Sequence, residues 1–300
     1  MTDEIIRDEA GYLAKVQKAI HEKLDEIEVS MDKNKQLVIN QKKYLWGNIY
    51  EMDLQEIASN REDISRDIDD QNSMFKTKRL LEKLLDNTYF GRIDFVYEGE
   101  SDENAEKIYI GLGGFSPKSS IGQLVYDWRA PISSLYYDYE KGPASYEAPA
   151  GDIAGKIILK RQFKIRKGIM EYAFDGSIKI DDDILQRELS QNGSVKMRNI
   201  VSTIQREQNL IVRDKDTKIM VVQGVAGSGK TSIALHRIAY LLYKNRKNIN
   251  SSNIIIISPN AVFSDYISNI LPELGEENIC EMKFDELAHK ELKGLGTLEG

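Results

Sequence analysis

The first ninety residues lack the two residue types that most often end a helix. Proline is absent from residues 1–116, and glycine occurs only at Gly11 and Gly47 before Gly91. Proline removes a backbone N–H and clashes with the preceding turn, and glycine lowers helix stability, so a segment without them favours long helices. The sequence therefore predicts a helical region over residues 1–90.

Apolar residues in this segment recur at the spacing of a two-helix coiled coil. Successive positions are separated by 3, 4, 4, 3 and 4 residues at Leu13, Val16, Ile20, Leu24, Ile27 and Met31. Such a narrow seam requires a partner helix. We expect the later part of the segment to fold back and supply it, with apolar positions at Ile57, Ile64, Ile68, Phe75 and the run 80–85.

An acidic run occupies residues 60–70 of this predicted arm. Residues 1–90 contain 14 Lys and Arg against 19 Asp and Glu, and 14 − 19 gives a net charge of −5. The run is typical of a solvated helix face or a hairpin tip. Alternatively, it is a negatively charged probe that enters a basic or metal-bearing channel of a partner protein through electrostatic complementarity.

A β-rich domain is predicted for residues 91–189. Alternating and β-branched residues favour strands at 92–97, 107–110, 123–127, 156–166 and 169–174. The pair Lys167-Gly168 is typical of a tight hairpin connection between the last two. The cations of this hairpin form either a solubilising exterior or a contact for a phosphate backbone or an acidic protein surface; they are Lys160, Arg161, Lys164 and Arg166.

The segment Asp127-Trp128-Arg129-Ala130-Pro131 lies at the end of one predicted strand. Tryptophan buries a large apolar surface, and an acid and a base two positions apart can pair beside it. We interpret the segment as a buried tryptophan with a local Asp–Arg pair, in preference to a catalytic role.

A glycine-rich loop connects a predicted buried strand with a predicted helix in the last third of the chain. A polar linker at 190–194 precedes a region over 195–300 in which β and α patterns alternate. The β-branched run 218–223 predicts the strand, and the apolar spacing over 232–243 predicts the helix. This order distinguishes a phosphate-binding loop from a chance match to G-x-x-x-x-G-K-[ST].

The loop has the residue types that binding a nucleoside triphosphate requires. Its glycines let successive amide N–H groups converge on an anion at a helix N-terminus. Lys230 supplies a charge for the β and γ phosphates and Thr231 a hydroxyl ligand for Mg²⁺, so these two are the candidate catalytic residues. The residues expected to hold ATP in the loop are Gly224, Val225, Ala226, Gly227, Ser228, Gly229, Lys230, Thr231 and Ser232.

Two residues outside the loop are further candidates. Gln208 lies 22 residues before Lys230, and its amide offers the donor and acceptor that match the edge of adenine, which favours ATP over GTP. Asn260 follows a predicted buried strand at 254–257, where open α/β sheets place ligand contacts. A turn cap and a contact to a nucleic-acid strand both stay open for Asn260. His236, one turn into the predicted helix, is interpreted as a packed or solvated side chain.

Composition limits the classes of function. A net charge of −7 argues against a protein that wraps nucleic acid over a basic surface, so any such contact is expected to be local. No stretch approaches the ~18 apolar residues of a membrane span, and the N-terminus is acidic, which predicts a cytoplasmic protein. The single cysteine, Cys280, has no internal disulfide partner and is interpreted as a reduced residue without a chemical role.

Several of these motifs together resemble the superfamily 1 helicases of the UvrD/Rep type and, within them, the HelD branch, motors associated with bacterial RNA polymerase. The resemblance rests on the segments 89–95, 127–131, 204–208, 222–237 and 258–260. It implies a multi-domain fold with a helical coiled-coil arm over 1–90, a β-rich middle domain over 91–189, and the first part of a RecA-like α/β P-loop domain over 195–300.

The resemblance also implies roles for single residues. Gln208 matches the adenine-reading glutamine of the family's Q motif, and Lys230 and Thr231 match its Walker A pair. Asn260 falls in the segment with which the family touches single-stranded DNA, and residues 284–288 are similar to the next such segment. The arm would be the part inserted into a channel of the RNA polymerase core.

Two parts of a complete helicase motor are missing from the sequence. The family uses a hydrophobic strand ending in Asp-Glu, and arginines from a second RecA-like domain, to activate water and stabilise the transferred phosphoryl group. Residues 281–283 do not have the pattern of a buried strand, so Asp285 in Phe284-Asp285-Glu286 is interpreted as a helix N-cap. We therefore expect an N-terminal fragment that binds ATP but is nearly inactive as an ATP hydrolase by itself.

The predicted function is the ATP-binding part of a UvrD/HelD-like DNA helicase or translocase that acts on RNA polymerase through its arm. An alternative is a non-enzymatic RNA polymerase-binding protein in which nucleotide serves only as a switch. A small P-loop kinase or GTPase is a further alternative. Against a GTPase, the chain contains no Asn-Lys-x-Asp sequence for reading guanine.

Overall fold

A computed structural model describes most of the chain and divides it into two compact units. The described residues are 2–117, 122–175, 206–225, 228–258, 267, 270–272, 274, 276 and 279–292. The first unit contains Met1–Phe90, Gly113–Tyr126 and Phe163–Phe174, and the second contains Gly91–Leu112, Asp127–Gln162 and Asp175–Gly300.

Two long helices in contact with each other form most of the first unit. Helix α1 spans Thr2–Asn48 and helix α2 spans Leu54–Asp86. Five of the six residues of the predicted seam are buried, and the sixth, Met31, is half-buried. A second group of apolar side chains, including Val38, Leu45 and Ile64, forms a core nearer the turn. The predicted helical region is therefore confirmed.

The turn between the helices lies at residues 49–53, before the acidic run. Asp53 caps α2: its carboxylate accepts from the Glu56 amide, and the Glu56 carboxylate accepts from the Asp53 amide. Residues 60–70 consequently lie within α2 as a mostly exposed helix face and not at the tip. Phe75 was predicted to pack in the seam, which is wrong, because 57% of it is exposed.

Polar contacts set the register of the helix pair and anchor its base. Gln41 donates to Asp67 at 2.7 Å, and Lys78 donates to Glu28 at 2.6 Å. At the base, the amide of Lys167 donates to the Asp86 carboxylate at 2.9 Å, and Gln17 Nε2 donates to the Gly168 carbonyl at 2.6 Å. Lys167 and Gly168 both have a positive φ, which is the geometry predicted for a two-residue hairpin connection.

Six strands form the β-rich part of the chain. They are β1 (Gly91–Tyr97), β2 (Glu106–Gly111), β3 (Tyr126–Asp127), β4 (Gly142–Ala148), β5 (Gly151–Arg166) and β6 (Ile169–Asp175). Their order is β3-β2-β1-β5-β4, with β6 pairing with β5. Strand β1 is antiparallel to β2 and β5, and β4 is antiparallel to β5. Strand β4 was not predicted, and β3 is shorter than predicted.

Two of the four hairpin cations are buried and paired, so neither interpretation of them as an exposed surface holds. Lys160 donates to the Tyr139 carbonyl at 3.0 Å, and Arg161 donates to Asp175 at 2.7 Å. Both side chains are less than a tenth exposed. A long charged side chain can bury its aliphatic stem among apolar groups when its charged end has an acceptor. The acceptor is 21 residues from Lys160 and 14 residues from Arg161 in the sequence.

The remaining elements belong to the second unit. They are α3 (Ser134–Asp138), α4 (Arg206–Arg213), α5 (Lys230–Lys244), β7 (Ile255–Ile257), β8 (Cys280–Met282) and α6 (Phe284–Leu292). Strands β7 and β8 pair in parallel, as α/β domains do. Among the residues with described positions, no helix is long and apolar enough to cross a membrane.

The strand predicted at 218–223 is not formed. These residues are irregular, and Ile219 and Val221 are 85% and 86% exposed. Ile255 and Ile257 of β7 are also about half exposed, so the second predicted buried strand forms but is not buried. A β-branched run becomes a strand only where a neighbouring strand takes up its hydrogen bonds. In the described ranges β7 pairs only with β8, and a full P-loop sheet is not seen.

Truncating a buried leucine of the helix pair should destabilise the first unit. Leu84 is fully buried in α2, so Leu84→Ala removes apolar contacts and leaves a cavity, at a cost of about 3 kcal/mol in the free energy of unfolding. Urea denaturation followed by far-UV circular dichroism measures this loss. Leu37→Ala in α1 is the matched control, because Leu37 is 47% exposed and should change stability by less than about 1 kcal/mol. Equal losses for the two variants would contradict the described packing.

Candidate nucleotide-binding site

The glycine loop leads directly into the N-terminus of α5. Gly229 is the N-cap residue and has φ 82°, a left-handed conformation that favours glycine. The Ser228 amide donates to the Val225 carbonyl at 3.2 Å and closes a turn before it. The first amides of a helix have no partner within the helix, so this end offers donors that an anion can accept from. The loop residues Ala226 and Gly227 lie outside the described residues.

Lys230 lies across the loop that it follows. Its ammonium donates to the carbonyl oxygens of Gly224 at 2.9 Å and Val225 at 2.6 Å. A Cβ atom at Gly224 would lie 2.6 Å from the Ser228 hydroxyl oxygen, so a larger residue would require that hydroxyl to move. Thr231 and Ser232 are half-buried in the first turn of α5. The structure thus places the Lys230 ammonium against the loop carbonyls, with Thr231 and Ser232 in the first turn of the helix that Lys230 begins.

Gln208 lies beside this loop although it is 21 residues before Gly229 in the sequence. It is half-buried in α4, and its Nε2 is 3.7 Å from the position that a Cβ would take at Gly229. The predicted adenine reader and the predicted phosphate loop are therefore neighbours. Asn260 is outside the described residues, and its predicted contact to DNA stays a prediction.

Helices α4 and α5 contact each other through Arg237. From α5, its guanidinium donates to the Ile211 carbonyl of α4 at 2.7 Å and to the Thr217 carbonyl at 3.5 Å. The last carbonyls of a helix lack partners and carry partial negative charge, so an arginine there satisfies and stabilises them. This contact fixes the C-terminal end of α4 against the helix that carries Lys230.

The predicted buried tryptophan and Asp–Arg pair are confirmed. Trp128 is fully buried, and Arg129 donates to both carboxylate oxygens of Asp127, at 2.8 and 2.7 Å. Arg129 also pairs with Glu276 and stacks over the Tyr243 ring of α5 at 4.7 Å. Burial alone would lower the pKa of Arg129, but the hydrogen bonds and charges of Asp127 and Glu276 outweigh it and raise the pKa.

Sequence reasoning missed Arg213, the last residue of α4. Its guanidinium donates to the carbonyl oxygens of Trp128 at 2.6 Å, Ala130 at 3.3 Å and Arg129 at 3.4 Å. Its Nε donates to Asn209 Oδ1 at 3.0 Å, one turn earlier in the helix. The only sequence signal was that i, i+4 pair, which is too common to single out an arginine.

His236 is a packing residue, in agreement with its interpretation from the sequence. Only 1% of it is exposed, and its ring meets the Trp128 ring edge-on at 5.5 Å between centroids. Its Nδ1 lies 2.7 Å from the Ser232 carbonyl, which can only accept, so Nδ1 carries the proton. In the described part of the chain, neither His236 Nε2 nor Trp128 Nε1 has a hydrogen-bond partner. Burial lowers the pKa of His236 to about 4, so it is neutral near pH 7.

Residues 280–286 differ from their prediction in the role of Asp285. Residues 280–282 do form a strand, β8, although it is partly exposed. Asp285 lies inside the first turn of α6 and is not its cap. Instead, the Glu286 carboxylate accepts from the Lys283 amide at 3.1 Å, which is the reciprocal half of a capping box. Cys280 in β8 is a free thiol and is exposed.

Comparison with known families agrees with this geometry. The family model described as DNA helicase IV HelD, N-terminal domain, matches residues 6–190, which is more than half of the chain. The chain belongs to the UvrD/Rep-like helicases of the HelD type. The model described as UvrD/REP helicase N-terminal domain matches residues 204–284, which include α4, the phosphate loop and α5. A search of curated proteins found no match.

Membership of this family makes the chain part of a group of DNA helicase-like ATPases. Residues 191–203 separate the two matched ranges. The contacts of Arg213 with the carbonyls of Trp128, Arg129 and Ala130 therefore join the HelD-specific part to the helicase part of the same chain.

Removing the buried imidazole should flatten the dependence of stability on pH. The pKa of His236 is lowered from about 6.5 in the unfolded chain to about 4 when folded, so the unfolded chain binds the extra proton first. The stability it contributes is complete above about pH 6.5 and falls by roughly 3 kcal/mol as the pH drops towards 4. In His236→Gln, urea denaturation between pH 7 and 4.5 should show a smaller decline. His21→Gln on the exposed face of α1 should keep the wild-type profile, and a wild-type profile for His236→Gln would contradict the assignment.

Proposed function

We propose that this chain binds ATP with Mg²⁺ in the loop at residues 224–231, as the nucleotide-binding part of an ATP-dependent translocase of the UvrD/HelD type. The observation that carries the proposal is the proximity of three groups: Gln208, the N-terminus of α5 and the Lys230 ammonium. A nucleotide needs groups for its phosphate chain and for its adenine base within one site. UvrD-like helicases generally use ATP with Mg²⁺, which supports the choice of nucleotide.

Each residue has a distinct part in holding the nucleotide. Phosphate oxygens accept from the first amides of α5, and Lys230 exchanges its two carbonyl partners for β and γ phosphate oxygens. The Thr231 hydroxyl is a ligand for Mg²⁺, which neutralises phosphate charge when bound. Gln208 donates to and accepts from the adenine edge.

We expect slow hydrolysis by this chain alone. Hydrolysis in the family relies on an aliphatic strand ending in Asp-Glu and on arginines of a second RecA-like domain, and we interpret no segment of these 300 residues as either. Preorganised charge at the transferred phosphoryl group supplies most of the rate in such enzymes. Binding and hydrolysis are therefore separable properties of this chain.

Replacing the loop lysine should abolish most of the nucleotide affinity. Lys230→Ala removes the ammonium that faces the β and γ phosphates, and we expect the affinity for Mg-ATP to fall at least about thirtyfold, since a charge-assisted contact is worth about 2 kcal/mol or more. Isothermal titration calorimetry measures the change. Lys244→Ala at the exposed C-terminal end of α5 is the matched control and should bind as wild type does. Wild-type affinity in Lys230→Ala would refute the site.

We further propose that the helix pair acts as an arm that contacts the RNA polymerase core, and that single-stranded DNA contacts the chain locally near Asn260. The acidic face of α2 supports the first part, because Asp69 and Asp70 are exposed and available for a basic surface. The net charge of −7 supports a DNA contact that is local and not spread over the surface.

Neutralising the acidic face should weaken capture of the polymerase. Asp69→Asn combined with Asp70→Asn removes two exposed negative charges, and we expect less protein retained on immobilised RNA polymerase core at low salt, with a smaller salt dependence. Glu98→Gln combined with Glu100→Gln removes the same charge from an exposed loop outside the arm and is the control. Equal retention of both double variants would contradict the arm assignment.

Two measurements separate the motor from a nucleotide-switched binding protein: retention on the polymerase with and without ATP, and ATP turnover with and without DNA. If the protein is a nucleotide-switched binding protein, its retention on the polymerase changes when ATP is added. In that case DNA has no effect on ATP turnover. For a translocase, DNA stimulates the hydrolysis of ATP. The Lys230→Ala variant decides whether any ATP effect arises at the loop.

A further inference from the structure

The backbone segment Asp127–Ala130, here termed the brace, contacts both helices of the candidate nucleotide site. Its carbonyl oxygens at 128, 129 and 130 accept from Arg213 of α4. Its side chains reach α5, where Trp128 meets His236 and Arg129 stacks over Tyr243. One four-residue segment therefore sets the position of the helix with Gln208 relative to the helix that begins at Lys230.

Helix α4 depends on such outside contacts, because it contains eight residues and helices this short are unstable alone in water. A continuous chain of hydrogen bonds runs along the buried side of α4. Asp138 accepts from Asn209 at 2.6 Å, and Asn209 accepts from Arg213 at 3.0 Å. Asn209 is only 1% exposed, so this chain of hydrogen bonds is protected from water. Rings of Tyr137 and Tyr240 lie 5.9 and 5.3 Å from the Arg213 guanidinium and confine it further.

We propose that Arg213 is a positioning residue for adenine recognition: by holding α4 on the brace, it keeps Gln208 beside Gly229, where the base of a bound nucleotide is read. The inference rests on the proposed function, because it assigns a cause to the placement of Gln208 in that site. Arg213 itself lies five residues after Gln208 on the helix and touches brace carbonyls, so its effect on the base is indirect.

The geometry requires an arginine. A planar guanidinium presents several donors in a fixed fork and reaches three carbonyl oxygens and one amide oxygen at once. A lysine keeps the charge but offers one compact ammonium, which cannot span the same acceptors. Arg213→Lys therefore removes the alignment while retaining the charge.

The test compares three ligands by isothermal titration calorimetry in the full chain: Mg-ATP, Mg-GTP and Mg-tripolyphosphate. Arg213→Lys and Gln208→Ala should each lower the affinity for Mg-ATP about tenfold towards that for Mg-GTP, and leave that for Mg-tripolyphosphate within twofold of wild type. Lys215→Ala is the matched control, because Lys215 pairs with Glu147 on the surface and joins the same two parts of the chain without reaching the brace. It should bind all three ligands as wild type does.

A second variant covers the case in which Arg213→Lys does not fold. Asp138→Ala breaks the same chain of hydrogen bonds at its far end and should produce the same selective loss for Mg-ATP. Folding is followed in a Trp46→Phe background, in which Trp128 in the brace is the single tryptophan and its blue-shifted emission reports burial.

The outcomes distinguish this inference from the proposed function. If no ligand binds in a Lys230-dependent way, both are wrong. Suppose that all three ligands bind the wild-type protein, that this binding depends on Lys230, and that ATP and GTP bind equally well. The proposed phosphate loop is then supported and the positioning role is wrong. If the folded Arg213→Lys and Asp138→Ala variants keep the ATP preference, or lose tripolyphosphate as strongly as ATP, the positioning role is likewise overturned.

Discussion

The buried pair of Asp127 and Arg129 is the interaction on which the geometry of the second unit depends. Moving two charges out of water is costly, and their attraction compensates only when the remaining donors and acceptors also find partners. Here the carboxylate accepts from the guanidinium twice and from the Arg129 amide at 2.8 Å. The Asp127 carbonyl accepts from the Ser133 hydroxyl at 2.7 Å. The pair therefore stabilises a turn in its own backbone, in which Arg213 reaches the Trp128 and Arg129 carbonyls and shares the Ala130 carbonyl with the Ser133 amide.

The parts of the fold that were predictable from the sequence depend on local rules. The seam of α1 follows from a helical period, and Lys167-Gly168 follows from the positive φ that a two-residue hairpin demands. The Asp127–Arg129 pair spans two positions and was predicted for the same reason. Strand β4 was missed because Gly142 and Pro143 at its start are typical of loops, and its edge position, paired only with β5 in the described sheet, tolerates them.

The parts that could not be predicted depend on residues far apart in the chain. Arg213 meets carbonyl oxygens 83 to 85 positions away, and Asn209 meets Asp138 71 positions away. Neither pairing leaves a periodic pattern in one sequence. The run 218–223 shows the converse error: its β-branched residues favour a strand locally, but a strand also needs a neighbour, and in the described residues none pairs with it.

The two ends of the candidate nucleotide site differ in this respect: one depends on local residues and the other on contacts between distant residues. The proposed phosphate end depends on a left-handed Gly229, a turn closed by Ser228 and the first amides of α5, and these three features are present although the run 218–223 is irregular. The base end requires α4, which is held by three other parts of the chain: the carbonyl oxygens at 128–130, through its own Arg213, the Asp138 carboxylate and Arg237 of α5. For the proposed site we therefore expect affinity for phosphate to be a local property of about eight residues. We expect discrimination of the base to be a property of the packed unit and to be lost first when distant contacts loosen.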